Sequence, residues 1–229
     1  MEKPALILLH GALGAASQFQ PWLSLLEQDF RVFTLDFEGH GERPGTRREF
    51  AIEHFAENLE QLIQEQGLAP ANVFGYSMGG YVALWLAAQK PELIERVFTF
   101  ASKVAWDPET AKREIRMLDP EKIKAKVPHF AKMLETRHAA NNWEAVLHET
   151  AGMMNGLGQN NLIEASYTGI KARVRVGLGD RDTMVGLEET VQMQNRIDGA
   201  ELLILPGTPH PLEKIDPLRI CTQIKDFFS

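Results

Sequence analysis

Val73-Phe74-Gly75-Tyr76-Ser77-Met78-Gly79-Gly80 is the stretch from which the rest of this chain is best read. A short apolar run of strand character meets a Gly-x-Ser-x-Gly turn, and the run 81–90 beyond it is helical in pattern and stops before Pro91. A turn that tight leaves no space for side chains at two points. Gly75 and Gly79 stand where a β-carbon would collide with neighbouring backbone, and Ser77 between them is expected to project above a sheet in a strained conformation. Strain of this kind concentrates at functional sites, so Ser77 is the first candidate residue.

Working outward, Ala5-Leu6-Ile7-Leu8-Leu9 is too uniformly apolar for a half-exposed strand and suits one covered on both faces, as in a parallel sheet. His10-Gly11-Ala12-Leu13-Gly14 follows it, then a helix over 17–28 and a strand over 32–35. A turn-rich loop from Asp36 to Pro44 leads to Ile52, Phe55, Ala56, Leu59, Leu62 and Ile63, which recur at helical spacing until Gly67. After the serine turn comes a strand over 97–100. Between 103 and 170 the alternation of strand and helix stops, and Asp107-Pro108, Asp119-Pro120 and Asn142-Trp143 each mark a helix start. The alternation resumes with strands at 174–178 and 202–205, a helix over 187–197, and a last helix from Asp216-Pro217 whose buried stripe is Ile220, Ile224, Phe227 and Phe228.

Strands joined by crossover helices imply an α/β fold with a doubly wound, mainly parallel sheet of about six strands. On this reading 1–102 and 171–229 form one core and 103–170 is an all-helical lid inserted in it. A length of 229 residues suits such a single core with a modest insertion. A net charge of −7 argues against a nucleic-acid surface, which needs a basic stripe. The start of the chain lacks the pattern of a signal peptide, and no apolar run has the length of a membrane span. Cys221 sits on the apolar stripe of the last helix and reads as core packing, so a reducing, cytoplasmic setting is expected. No His, Cys and carboxylate residues stand at metal-ligand spacing, and the glycine turn lacks the Lys-Ser/Thr ending of a phosphate loop. No metal or cofactor is expected.

The Gly-x-Ser-x-Gly turn, the early His10-Gly11 and the loops around Asp182 and His210 together resemble the α/β-hydrolase superfamily, in its serine-nucleophile branch. The resemblance implies a sheet without the family's first two strands, and a nucleophile at Ser77. A serine hydroxyl needs a base to take its proton and a carboxylate to orient that base, and in this family the order along the chain is serine, acid, histidine. Gly179-Asp180-Arg181-Asp182 follows one late strand, and Pro206-Gly207-Thr208-Pro209-His210 follows the next. Similarity to the family's Gly-x-x-Asp loop favours Asp182 as the acid, with Asp180 as a turn residue and the rival for the role. Of seven histidines only His210 follows the last strand, although Pro209 replaces the glycine usual before it.

The same resemblance assigns an oxyanion hole to the backbone N–H groups of Met78 and Ala12, with Leu13 as the alternative to Ala12. Asp36-x-x-Gly39-His40-Gly41 is similar to a structural turn of the family, with Arg43 where serine is usual. In the insertion, Trp106, Met117, Phe130, Met133, Leu134, Trp143, Met153, Met154 and Leu157 read mostly as the lid's own core, a few of them roofing a cleft. The implied function is hydrolysis of carboxylic esters of small to medium, largely apolar substrates through an acyl-enzyme. The same triad could instead cleave thioesters, amides or C–C bonds, or abstract a proton as a lyase. A hydrolase-fold binding protein without activity is the reading from a different class. The expected partner is a small ester-like molecule, with neither nucleic acid nor membrane.

Overall fold

Strands that are apolar on both faces need cover on both faces, and the fold supplies it. The computed structural model describes residues 2–229. Among them six strands, β1 (Ala5–Leu9), β2 (Arg31–Leu35), β3 (Ala71–Tyr76), β4 (Ile94–Phe100), β5 (Arg173–Gly179) and β6 (Glu201–Leu205), form one sheet in the order β2-β1-β3-β4-β5-β6. Every pairing in it is parallel.

Alternation along each strand divides the core in two. Leu6, Leu8, Phe74, Phe98 and Phe100 face α1 (Gln20–Leu26) and α9 (Pro217–Phe228), where Trp22, Leu26, Ile220, Ile224 and Phe227 meet them. Cys221 lies in this layer, and burial pushes its thiol up to about 12, as befits a packing residue. Ile7, Leu9, Val73, Val97, Val174 and Val176 point the other way, toward α2 (Ile52–Gln66), α3 (Met78–Gln89) and α8 (Leu187–Arg196).

The helix expected over 17–28 is shorter. A 3-10 turn at Ala16–Phe19 precedes α1, because Pro21 has no N–H to donate and is tolerated only in a helix's first turn. Among the described residues four α-helices occupy the stretch between β4 and β5: α4 (Pro108–Ile115), α5 (Pro120–Lys126), α6 (Pro128–Arg137) and α7 (Trp143–Gln159). Three have the expected caps. Asp107 accepts from Thr110 N–H at 2.7 Å, Asp119 from Lys122 N–H at 3.1 Å and Asn142 from Glu144 N–H at 2.9 Å. α6 opens on Val127-Pro128 without a capping side chain, so no polar signal announces it.

The apolar residues of these helices divide as well. Ile123, Leu134 and Leu147 make a small cluster of their own with Phe130 and Trp143 beside it, whereas Val146, Met153 and Leu157 join the main core. Met117 is 58% exposed and faces solvent. Among the described residues no helix is long and apolar enough to cross a membrane.

Successive strands step outward in opposite directions from β1 and β3, so the sheet's switch point lies between these two neighbours. Ligands of open parallel sheets bind beyond the carboxyl ends of the strands at such a point. The loop His10 to Gly14 and the Ser77 turn both emerge there.

Candidate active site

Ser77 links β3 to α3 with φ of 52° and ψ of −117°, a conformation that costs on the order of 1–3 kcal/mol. The surrounding backbone holds it there. Its N–H donates to the Phe100 carbonyl at 2.8 Å, and its carbonyl accepts from Gly80 N–H at 3.0 Å. A β-carbon on Gly79 would lie 2.6 Å from the Leu9 carbonyl oxygen and 2.7 Å from that of His10, so only glycine lets the serine turn approach the end of β1. Met78 is the first residue of α3, and its N–H has no acceptor within the helix.

Ala12, Ser77 and Met78 line one small cavity of about 40 Å³, whose other walls include Lys103, Trp106, Met153, Met154 and Leu157. A groove of about 290 Å³ between the start of α2 and α7 shares Ile52, Met153 and Leu157 with it but is not lined by Ser77. Lys103 brings a cation to the Ser77 cavity. Glu189 at 3.5 Å and Glu114 at 3.9 Å already offset its charge.

Asp182 and His210 meet directly, with Nδ1 of the imidazole 2.7 Å from Oδ2 of the carboxylate. The other carboxylate oxygen, Oδ1, accepts from Met184 N–H and Val185 N–H, both at 2.8 Å, which fixes the plane of the group. Burial opposes its ionisation, but the hydrogen bond to His210, that ring's charge and the two backbone donors outweigh it and hold Asp182 below the usual carboxylate range. Asp180 plays a different part, in which its Oδ1 accepts from Thr208 N–H at 3.2 Å and laces the loop after β5 to the loop after β6.

Among the described residues Ser77 makes no side-chain hydrogen bond with His210, and the link between their turns runs through Tyr76, the residue before the serine. The Tyr76 hydroxyl donates to the His210 carbonyl at 2.7 Å, and the two rings lie 5.5 Å apart. The carbonyl of His210, between Pro209 and Pro211, thus joins Thr208 N–H and the His210 ring as a point at which the loop is held. Tyr76 occupies a variable position of the serine motif, and nothing in the sequence marks it.

Three buried histidines stand behind the site. His10 accepts from Phe37 N–H through Nε2 at 3.2 Å and donates from Nδ1 to the Gly11 carbonyl at 2.8 Å. His40 lies 5.2 Å from the His10 ring and 5.7 Å from that of His138. Asp36 pins the neighbouring loops, accepting from Ala16 N–H at 2.7 Å and Glu42 N–H at 3.1 Å. Burial lowers His10 and His138 from 6.5 to about 4 and His40 well below its ordinary value, so all three are neutral at pH 7.

The unfolded chain takes up these protons near pH 6.5 and the folded chain does not. The resulting stabilisation is complete above that pH and drains away as pH falls toward 4, by roughly 3 kcal/mol for a ring lowered this far. The melting temperature is therefore expected to drop steeply between pH 6.5 and 4. A flat profile across that window would contradict neutral burial.

Residues 4–168 match the family model described as alpha/beta hydrolase fold. The mouse sn-1-specific diacylglycerol lipase ABHD11 is 34% identical over 96 residues, which cover 41% of this chain and 31% of that protein. The magnesium-chelatase 30 kDa subunit of Rhodobacter capsulatus is 38% identical over 89 residues, covering 38% of this chain and 31% of that one. The chain thus matches about a third of the length of these curated relatives. Among solved structures, the enol-lactonase from Burkholderia xenovorans LB400 superposes with a TM-score of 0.79 at 21% identity, covering 99% of this chain and 92% of that one.

Proposed function

The chain belongs to the alpha/beta hydrolase fold family, and from that premise we propose that it is a serine hydrolase cleaving carboxylic esters of small to medium, largely apolar substrates. The observation that carries the reading is the carboxylate of Asp182, locked on one oxygen by two backbone N–H groups and presenting the other to His210 at 2.7 Å. An imidazole so held keeps its proton on Nδ1 and leaves Nε2 free to act as a base. Ser77 Oγ attacks the ester carbonyl and gives its proton to Nε2, and the charge forming on the carbonyl oxygen falls to the N–H groups of Met78 and Ala12. His210 passes the proton to the leaving alcohol, and water then releases the acid by the same steps in reverse.

In this reading 1–102 and 171–229 are the catalytic core and 103–170 the lid. Trp106, Met153, Met154 and Leu157 beside Ser77 favour an apolar acyl or alcohol group, and the pairing of Lys103 with two glutamates removes the attraction for an anionic one. The names of a diacylglycerol lipase and an enol-lactonase among the similar proteins agree with ester chemistry. The buried, unpaired Cys221 fits a reducing compartment, and we place the protein in the cytoplasm.

Fluorophosphonate labelling combined with 4-nitrophenyl esters of two to eight acyl carbons tests the proposal. Labelling confined to Ser77, with turnover that varies along the series and an acyl-enzyme trapped on quenching, is the expected result. Absence of both labelling and turnover would support a binding protein instead. Labelling without an acyl-enzyme would favour proton abstraction.

A further inference from the structure

Leu13 is the strained residue of the site that the proposed chemistry leaves unexplained. It is third in the turn Gly11-Ala12-Leu13-Gly14, closed by Gly14 N–H to the Gly11 carbonyl at 3.0 Å, and its φ is 58°. A turn with positive φ at its third residue normally places glycine or asparagine there. Leucine has no such freedom, so something outside the turn must hold it.

Two donors from a single place do so. The Leu13 carbonyl accepts from Arg137 Nη1 at 3.0 Å and lies 3.1 Å from His138 Nε2. Gly41 N–H donates to His138 Nδ1 at 3.0 Å, which leaves the ring proton on Nε2 and makes that nitrogen a donor to Leu13. Both side chains are withdrawn from water, Arg137 at 11% and His138 at 1% exposure. The second arm of Arg137 pairs with Glu213, in the 3-10 turn Leu212–Lys214 just beyond His210, and Gln18 Nε2 donates to the same carboxylate at 2.8 Å. The side chain of Leu13 packs against the small cluster of Ile123, Leu134 and Leu147.

We propose that Arg137 and His138 are positioning residues that hold Leu13 in its left-handed conformation and thereby aim the oxyanion-binding N–H of the loop after β1. This inference rests on the serine-hydrolase reading. Relaxation of Leu13 to negative φ would rotate the Ala12–Leu13 peptide plane, exchange the sides of the turn on which its N–H and C=O stand, and shift the Ala12 N–H beside it. Arg137 ends α6 and His138 follows it, so docking of the inserted helices is part of assembling the site. Through Glu213 the same arginine steadies the loop that carries His210.

A double-mutant cycle on 4-nitrophenyl butyrate tests this. Arg137→Met keeps the aliphatic stem and removes the donors, and it should lower kcat by about 10²-fold, the scale of a catalytic group displaced by an ångström, with KM changed less than about threefold. In a Leu13→Gly background, where positive φ needs no support, the same substitution should cost less than about fivefold relative to Leu13→Gly alone. The rate of Ser77 phosphonylation should follow kcat through the cycle, and Arg137→Lys should restore part of it. His138→Asn, whose shorter amide can still accept from Gly41 N–H but no longer reaches the Leu13 carbonyl, is a second probe should Arg137→Met unfold, as its thermal transition would reveal; it should lower kcat in the same direction. Equal losses in both backgrounds, or a change confined to KM, would overturn the inference and leave the serine-hydrolase reading standing. Full turnover in Ser77→Ala would overturn both.

Discussion

Ser77→Ala should reduce hydrolysis of 4-nitrophenyl butyrate by roughly 10⁶-fold, the loss typical of removing a nucleophile from a triad that acts as a unit. The fold should not notice. Alanine meets the same backbone strain at φ of 52° as serine does, and the turn is held by main-chain bonds to Phe100 and from Gly80 that do not involve the hydroxyl. Melting temperature should stay close to the parent's while phosphonylation disappears. What turnover remains would come from the oxyanion donors and substrate binding, which by themselves give only a small part of the acceleration. Appreciable activity in this variant would place the nucleophile elsewhere.

Asp182→Asn should cost about 10⁴-fold in kcat, and Asp180→Asn less than about threefold. The contrast follows from what each oxygen does. An amide oxygen at 182 can still accept from Met184 and Val185, so the loop should keep its shape. Its NH₂ group would then face Nδ1 of His210, force the ring proton onto Nε2 and leave no base for Ser77. At 180 the acceptor serves Thr208 N–H, and an asparagine oxygen accepts that bond equally well. Equal losses at the two positions would reverse the assignment of the acid.

The parts of this protein legible in its residues are those governed by neighbours in the chain. Uniformly apolar runs such as Ala5 to Leu9 suit strands covered on both sides, and the aspartate or asparagine before three of the inserted helices announces a cap because the bond it makes spans two or three residues. Where that local signal is absent, as at Val127 before α6, no capping residue marks the start of the helix. Ser77 could be singled out for the same reason: its motif is a short-range steric argument about glycines.

Fold class and the choice of Ser77 as the candidate nucleophile thus rest on local sterics and periodicity. Which groups steady that serine's surroundings was decided by tertiary packing alone. Tyr76 reaches His210 across 134 positions and Arg137 reaches Leu13 across 124, and no pattern of spacing encodes a pairing that exists only once parallel strands and inserted helices have brought distant loops to one end of the sheet.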